Sequence, residues 1–315
     1  QGRFSGRRED LFIGHNLSDV VVVDLDADGD QDIVVANGLQ SSSITLLYND
    51  GQGNFSARAV LTSQSGATEV AAGQLDADGY VDLVVANTLA NTVSVYLNDR
   101  NGGFAGAVHY LVGVSPGELA LADIDADGHV DIAASTTGES RVSLLRNTGA
   151  GVFTSLNRPD ALLRATAIAA GGLTADIFDD FVVGGQGDFL VFLENTSGSS
   201  YSNTPIELGF PIRRVKIADI DNNGVGDIIA MSADSGRLQL LHNRLVGRLI
   251  RPRAPIAVVA QDVKGDLGGR ISVSWEDGDY GLQATTTQII PTTSYTVVRS
   301  ADLDFNSVDT LAVVP

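Results

Sequence analysis

The sequence predicts an all-β fold built from a repeated four-stranded unit, and three observations carry that prediction. Its 315 residues include 35 glycines and 8 prolines, and Val, Ile, Leu and Ala supply most of the apolar content. This mixture suits many short strands joined by tight turns. Apolar residues run in short blocks or alternate with polar ones, and nowhere do they recur with a helical period. An acidic stretch first met at Asp24 to Asp32, DLDADGDQD, returns at a fixed spacing.

In that stretch aspartates hold positions 1, 3, 5 and 9 (Asp24, Asp26, Asp28, Asp32) and Gly29 holds position 6. Carboxylates alternating along a tight turn can face one centre, and the glycine lets the backbone bend sharply behind it. This is the donor set of an oxygen cage for a hard cation, with Ca2+ the first candidate. A single loop of this kind is more often a solvated acidic turn. Repetition in phase favours the cage. The second copy reads Gln74, Asp76, Asp78, Gly79, Asp82, and the third Asp123, Asp125, Asp127, Gly128, Asp131. The fourth has decayed to Gly172, Thr174, Asp176, Ile177, Asp180, and the fifth is Asp219, Asp221, Asn223, Gly224, Asp227. First positions at 24, 74, 123, 172 and 219 give steps of 50, 49, 49 and 47 residues. Such a period marks a solenoid, propeller or array.

The remainder of each unit repeats as well. A run that reads as buried follows each loop: DIVVAN, DLVVAN, DIAAST, DFVVGG and DIIAMS. A polar turn leads to a third strand (ITLLYND, VSVYLND, VSLLRNT, FLVFLENT, LQLLHNR), and a glycine turn to an aromatic at Phe55, Phe104, Phe153 and Tyr201. These aromatics are expected in the core. A fourth strand and the apolar run before the next loop complete the unit. Four-stranded units of this length, radially repeated, are the blades of a β-propeller.

Phe4 precedes Asp24 much as Phe55 precedes Gln74, so residues 1 to about 18 read as the end of an earlier blade. Five blades and a partial one are visible. The expectation is a piece of a longer protein with further blades upstream, seven in the intact ring. Near residue 250 the pattern breaks. The propeller is assigned to 1–250 and a linker, RPRAP, to 251–255. A truncated β-sandwich follows at 256–315, where IAVVAQD, RISVSW and SYTVVRS read as strands without acidic loops.

Composition narrows the function. The formal charge is −19 and the pI about 4.3, a field that repels nucleic acid and anionic membrane and favours cations. Cysteine is absent, which removes disulfide frameworks and thiol chemistry. No apolar run is long enough for a membrane span, and no signal peptide is visible. His15, His109, His129 and His242 are scattered, and no G-x-S-x-G elbow or phosphate loop is present. The loop aspartates recur alike in each blade, whereas acid–base catalysis needs carboxylates in differentiated environments.

With these residues in view, the DxDxDGxxD loops followed by apolar strands resemble FG-GAP or VCBS repeats, which build the propeller of integrin α chains and of secreted bacterial proteins. The tail, with Trp275 and Tyr295 as core aromatics, resembles the start of a fibronectin type III domain. The repeat resemblance implies Ca2+ in the hairpin between the first two strands of a blade. Its ligands are the side chains at positions 1, 3, 5 and 9 and the carbonyl at 7. Here that means Asp24, Asp26, Asp28, Asp32 and the carbonyl of Asp30, and in the third loop Asp123, Asp125, Asp127, Asp131 and that of His129. The second loop offers Gln74, Asp76, Asp78, Asp82 and the carbonyl of Tyr80; the fifth offers Asp219, Asp221, Asn223, Asp227 and that of Val225. Gln74 and Asn223 are neutral, so these two loops should bind more weakly. No calcium is expected in the fourth loop, leaving about four sites.

The resemblance implies a secreted or cell-surface, bacterial, calcium-stabilised scaffold for adhesion or ligand binding, and not an enzyme. A protein or carbohydrate ligand would meet the variable turns GLQSSS, TLANT, TTGES, GGQGD and SADSG. The alternatives are a polysaccharide lyase or other carbohydrate-active enzyme on a calcium-binding propeller, and a passive spacer in a large surface protein.

Overall fold

The computed structural model describes residues 10–14, 16–55, 57–174 and 176–244, and beyond them the strands at 256–262, 270–276, 288–291, 295–300 and 308–314. Every regular element among them is a β-strand. The first blade is β1 (Asp19–Val23), β2 (Asp32–Ala36), β3 (Ser43–Tyr48) and β4 (Ala57–Thr62). The second is β5 (Ala67–Gly73), β6 (Asp82–Asn87), β7 (Thr92–Tyr96) and β8 (Val108–Leu111). The third is β9 (Pro116–Ala122), β10 (Asp131–Thr136), β11 (Val142–Asn147) and β12 (Phe153–Ser155). The fourth is β13 (Ala165–Gly171), β14 (Asp180–Gly185), β15 (Phe189–Asn195) and β16 (Tyr201–Glu207). The fifth shows three strands, β17 (Ile212–Ala218), β18 (Asp227–Ser232) and β19 (Leu238–Leu241). Each blade is an antiparallel sheet whose strands lie in chain order, as the repeat predicts.

The second strand of a blade is covered on both faces by its neighbours, and this is why it reads as an unbroken apolar run. Every residue of β6, β10 and β14 is buried. The cores lie between blades. Leu25, Val34, Ile44 and Leu46 of the first pack against Val70, Leu83, Val85 and Tyr96 of the second. Equivalent clusters join the second to the third, the third to the fourth and the fourth to the fifth. Phe153 is buried, while Phe104 and Tyr201 pack against these clusters from the side. Each such side chain contributes about 1.5–3 kcal/mol of burial, so adhesion between blades dominates stability.

First strands stand side by side around an axis, β1 next to β5, β5 to β9, β9 to β13 and β13 to β17. Across this axis Glu118 faces Arg214 (3.4 Å) and Lys216 (4.0 Å). The sheets do not close into a ring among the described residues. Val20, Val22 and Val60 at one end of the arc and Leu238 and Leu240 at the other are exposed, although the valine equivalent to Val20 in the second blade, Val70, is buried. Antiparallel order puts the hairpins between first and second strands, and between third and fourth, on one rim. The turns between second and third strands and the blade-to-blade connections share the opposite rim.

Beyond the blades, β20 (Ile256–Asp262), β21 (Arg270–Glu276) and β22 (Gln288–Pro291) form one antiparallel sheet, and β23 (Tyr295–Ser300) pairs with β24 (Val308–Val314). The three tail runs expected as strands are strands, with Trp275 in β21 and Tyr295 in β23. Of the partial blade expected at residues 1 to about 18, residues 1–9 and 15 lie outside the described residues, and the described residues 10–14 and 16–18 hold no strand; the linker at 251–255 lies outside the described residues.

Candidate metal centres

The four intact acidic loops share one backbone conformation. Position 4 is left-handed in each (Ala27 φ 59°, Ala77 56°, Ala126 58°, Asn222 58°), as is position 6 (Gly29 95°, Gly79 92°, Gly128 87°, Gly224 82°). Alanine takes this conformation only at a cost of about 1–2 kcal/mol, so strain recurs where the carboxylates converge. The decayed fourth loop has Ile177 at position 6, without a left-handed φ.

Position 9 closes the loop. Asp32 Oδ2 accepts from Leu25 N (2.9 Å) and its Oδ1 from Asn49 N (2.7 Å). Asp82, Asp131, Asp180 and Asp227 repeat this pair of bonds. Asp180 does so in the loop that lacks a cage, so this aspartate is structural before it is a ligand. Burial pushes the carboxyl of Asp82 up to about 6, Asp131 to about 7 and Asp180 to about 6, against the backbone donors that favour the anion.

In the first loop, oxygens of Asp24, Asp26 and Asp32 lie within 4.8 Å of one another. Asp24 Oδ2 accepts from Gly29 N at 2.9 Å, but its Oδ1 is buried with no hydrogen-bond partner. Burial, with Asp28 and Asp24 beside it, raises the carboxyl of Asp26. Asp28 Oδ1 caps Asp30 N at 2.9 Å. In the third loop Asp123, Asp125 and Asp127 converge within the same 4.8 Å limit, and Asp125 Oδ1 is the buried oxygen without a partner. His129 N donates to Asp127 Oδ1 at 2.9 Å. Burial and the neighbouring Asp127 raise the carboxyl of Asp125. A buried, unpaired carboxylate oxygen among other carboxylates is costly unless a cation shares the space. The residues present therefore fit Ca2+ in these two loops.

The second and fifth loops differ. Asp76, Asp78 and Asp82 form no comparable triad among the described residues; Asp78 instead pairs with Arg100 at 2.7 Å and caps Tyr80 N at 2.8 Å. Burial and then Asp78 raise the carboxyl of Asp76. Gln74, at position 1, follows directly on β5. In the fifth loop both oxygens of Asp219 accept from the backbone, of Asn223 and Gly224, as those of Asp123 accept from Asp127 and Gly128 in the third. Asn223 Oδ1 caps Val225 N, and its Nδ2 turns to Asn243 O. Asp221 and Asp227 gather with His242.

Two sets of residues escaped the sequence reading. Arg146 sits over the third cage, 2.5 Å from Asp125 and 3.5 Å from Asp127. More important is the asparagine ending each third-strand motif. Asn98 Nδ2 donates to Leu25 O in the preceding blade (2.8 Å), Asn147 to Leu75 O (2.7 Å), Asn195 to Ile124 O (2.8 Å) and Asn243 to Leu173 O (2.8 Å). The acceptor is the residue whose N–H binds the position-9 aspartate. A hydrogen-bonded belt thus runs from loop to loop through five blades. The signal was present in YND, LND, RNT, ENT and HNR, which share the asparagine.

Residues 24–85 and 74–134 match the FG-GAP-like repeat family model, so the first three loops lie in FG-GAP-like repeats. Among solved structures, BBS1N in complex with ARL6DN, soaked with mercury, is similar with a TM-score of 0.52 at 15% identity over 74% of this chain and 63% of that one. The chain therefore spans less than two thirds of BBS1N, and the likeness is one of fold. Looser likenesses are the V. cholerae biofilm matrix protein Bap1 (TM-score 0.42, 16% identity, 84% of this chain and 38% of that one) and a functionally unknown protein from Desulfotomaculum acetoxidans DSM 771 (0.48, 13%, 89% and 91%). No curated protein matches the sequence. No helix among the described residues is long and apolar enough to cross a membrane.

Proposed function

We propose that this chain is a calcium-clamped β-propeller that presents a recognition surface to a protein or carbohydrate outside the cell. The observation that carries the calcium clamp is the pair of buried, partnerless oxygens, Asp24 Oδ1 and Asp125 Oδ1, each inside a converging carboxylate triad. Ca2+ held between the first and second strands, next to the asparagine belt, would tie each hairpin to the neighbouring blade. Such a clamp suits the millimolar calcium available outside cells.

Recognition belongs on the rim opposite the metal loops. Its turns differ from blade to blade, and it exposes Leu39, Leu89, Val114 and Leu162 beside polar side chains. Large apolar side chains on variable turns of a rigid scaffold are suited to binding. BBS1N, which shares the fold, was crystallised with a protein partner, which supports the propeller as a recognition platform. The carboxylates repeat from loop to loop, which favours a clamp over catalysis. The strands from residue 256 onward form a separate β-sandwich module in this reading.

The test is a glycan and protein array probed with the full chain, alongside a uronate-release assay. Binding without release is the expected result, and it should vanish on Leu89→Asp. Uronate release would establish a lyase, and silence in both assays would leave a spacer.

A further inference from the structure

We propose that the fifth loop is a mixed nitrogen–oxygen site for a borderline divalent transition cation such as Zn2+, held by His242 Nδ1 and one carboxylate oxygen each of Asp221 and Asp227. The three ligand atoms lie within 4.8 Å of one another. Nδ1 stands 3.6 Å from Asp227 Oδ2 and 4.0 Å from Asp221 Oδ2. Both separations exceed a hydrogen bond's usual 2.7–3.2 Å or so. They approach the spacing of about 3.4 Å between ligands placed tetrahedrally at about 2.1 Å from one zinc. The imidazole therefore stands off from both carboxylates at a distance that a shared cation fills.

The rest of the loop points the same way. In the first and third loops a buried oxygen lacks a partner, and no nitrogen ligand joins the triad. In the fifth, position 5 is the neutral Asn223, whose Nδ2 turns to Asn243 O. One carboxylate of the calcium set is thereby replaced by an amide, and the histidine is added. The equivalent of His242, one residue before the belt asparagine, is Tyr48 in the first blade, Leu97 in the second, Arg146 in the third and Glu194 in the fourth. Only the fifth blade places an imidazole there. Replacing a neutral amide oxygen with imidazole shifts preference from hard Ca2+ towards Zn2+ and its first-row neighbours. Three protein ligands leave a position for water, and the half-exposed His242 and Asp221 give it access.

The inference shares with the calcium reading the premise that these loops hold cations, and the experiment separates the two. The full chain, saturated with Ca2+, is titrated with Zn2+ by calorimetry. One Zn2+ per chain is expected to bind against that calcium. His242→Ala should weaken this site by about tenfold or more, and His242→Gln should weaken it without restoring zinc preference. Circular dichroism confirms the fold of both variants, and Co2+ in place of Zn2+ should give a visible absorption band that depends on His242. Zn2+ binding of equal affinity in wild type and His242→Ala would overturn the inference, even with calcium uptake by the first and third loops intact. Zinc uptake that depends on His242 in a chain taking up no Ca2+ would support it and sink the calcium reading.

Discussion

Asn147 shows how much one side chain carries in this repeat. Its amide donates to Leu75 O and Val130 O, and its backbone N–H to Asp131 Oδ1, all within buried surroundings. Asn147→Ala removes the side-chain donor to Val130 O and the acceptor of Gly149 N, at about 1–3 kcal/mol for each group left unpaired, while Leu75 O keeps its bond from Gly151 N (3.0 Å). A loss of about 2–4 kcal/mol is predicted, read from urea denaturation. A loss below 1 kcal/mol would demote the belt to a bystander. Gly128 isolates a different effect. A Cβ there meets nothing within 4 Å, yet φ is +87°. Gly128→Ala should therefore cost about 1–2 kcal/mol through backbone conformation alone, measurable in the same denaturation series. The glycine was legible in the sequence because the cage demands it. The belt was not, because its acceptors are backbone carbonyls some 70 residues away, which no residue letter announces. Asn195, whose Nδ2 makes one of these bonds, is fully buried.

At the scale of the element, the hairpin loop was the most legible feature, since all its carboxylates fall within nine residues. What charges it meets in space was less so. Arg146 leaves β11 to lie over the third cage, and Arg100 does the same at the second from the following hairpin. A guanidinium beside a cation site lowers calcium affinity by repulsion while steadying the empty loop. Arg146→Ala should thus tighten Ca2+ binding severalfold and lower the melting temperature in EDTA, seen by calcium titration and scanning calorimetry. Weaker calcium binding in that variant would make Arg146 a supporting residue instead. The second strands were legible for a plain reason: burial on both faces turns them into apolar runs. The fourth loop supplies the control within the molecule. It keeps the position-9 aspartate and the belt bond but neither Gly at 6 nor the triad, and Asp176→Asn there should leave calcium stoichiometry unchanged.

Over the whole molecule, first strands bring Asp19, Glu69 and Glu118 to one register about the axis. Asp19 Oδ2 and Glu118 Oε2 accept from Val70 N and Ile168 N of the next blades. Burial, reinforced by Asp19, pushes the carboxyl of Glu69 up to about 7. An acid whose folded pKa exceeds its unfolded value of 4.5 penalises the fold above pH 7 and ceases to do so as the pH falls towards 4.5. In EDTA, stability should therefore rise on acidification from pH 8 to pH 5. Glu69→Gln should raise the melting temperature by a few degrees at pH 8 and hardly at pH 5. None of this converges in the sequence, where the three acids lie about 50 residues apart; only the blade period brings them together. The calcium clamp itself is tested most directly by scanning calorimetry of the full chain in EDTA and in excess Ca2+. The account predicts a melting temperature higher by several degrees in Ca2+, since about 100-fold excess over Kd stabilises by about 2.7 kcal/mol per site. It also predicts that the shift shrinks when Asp24→Asn and Asp125→Asn are combined. An identical transition in EDTA and in Ca2+ would contradict it.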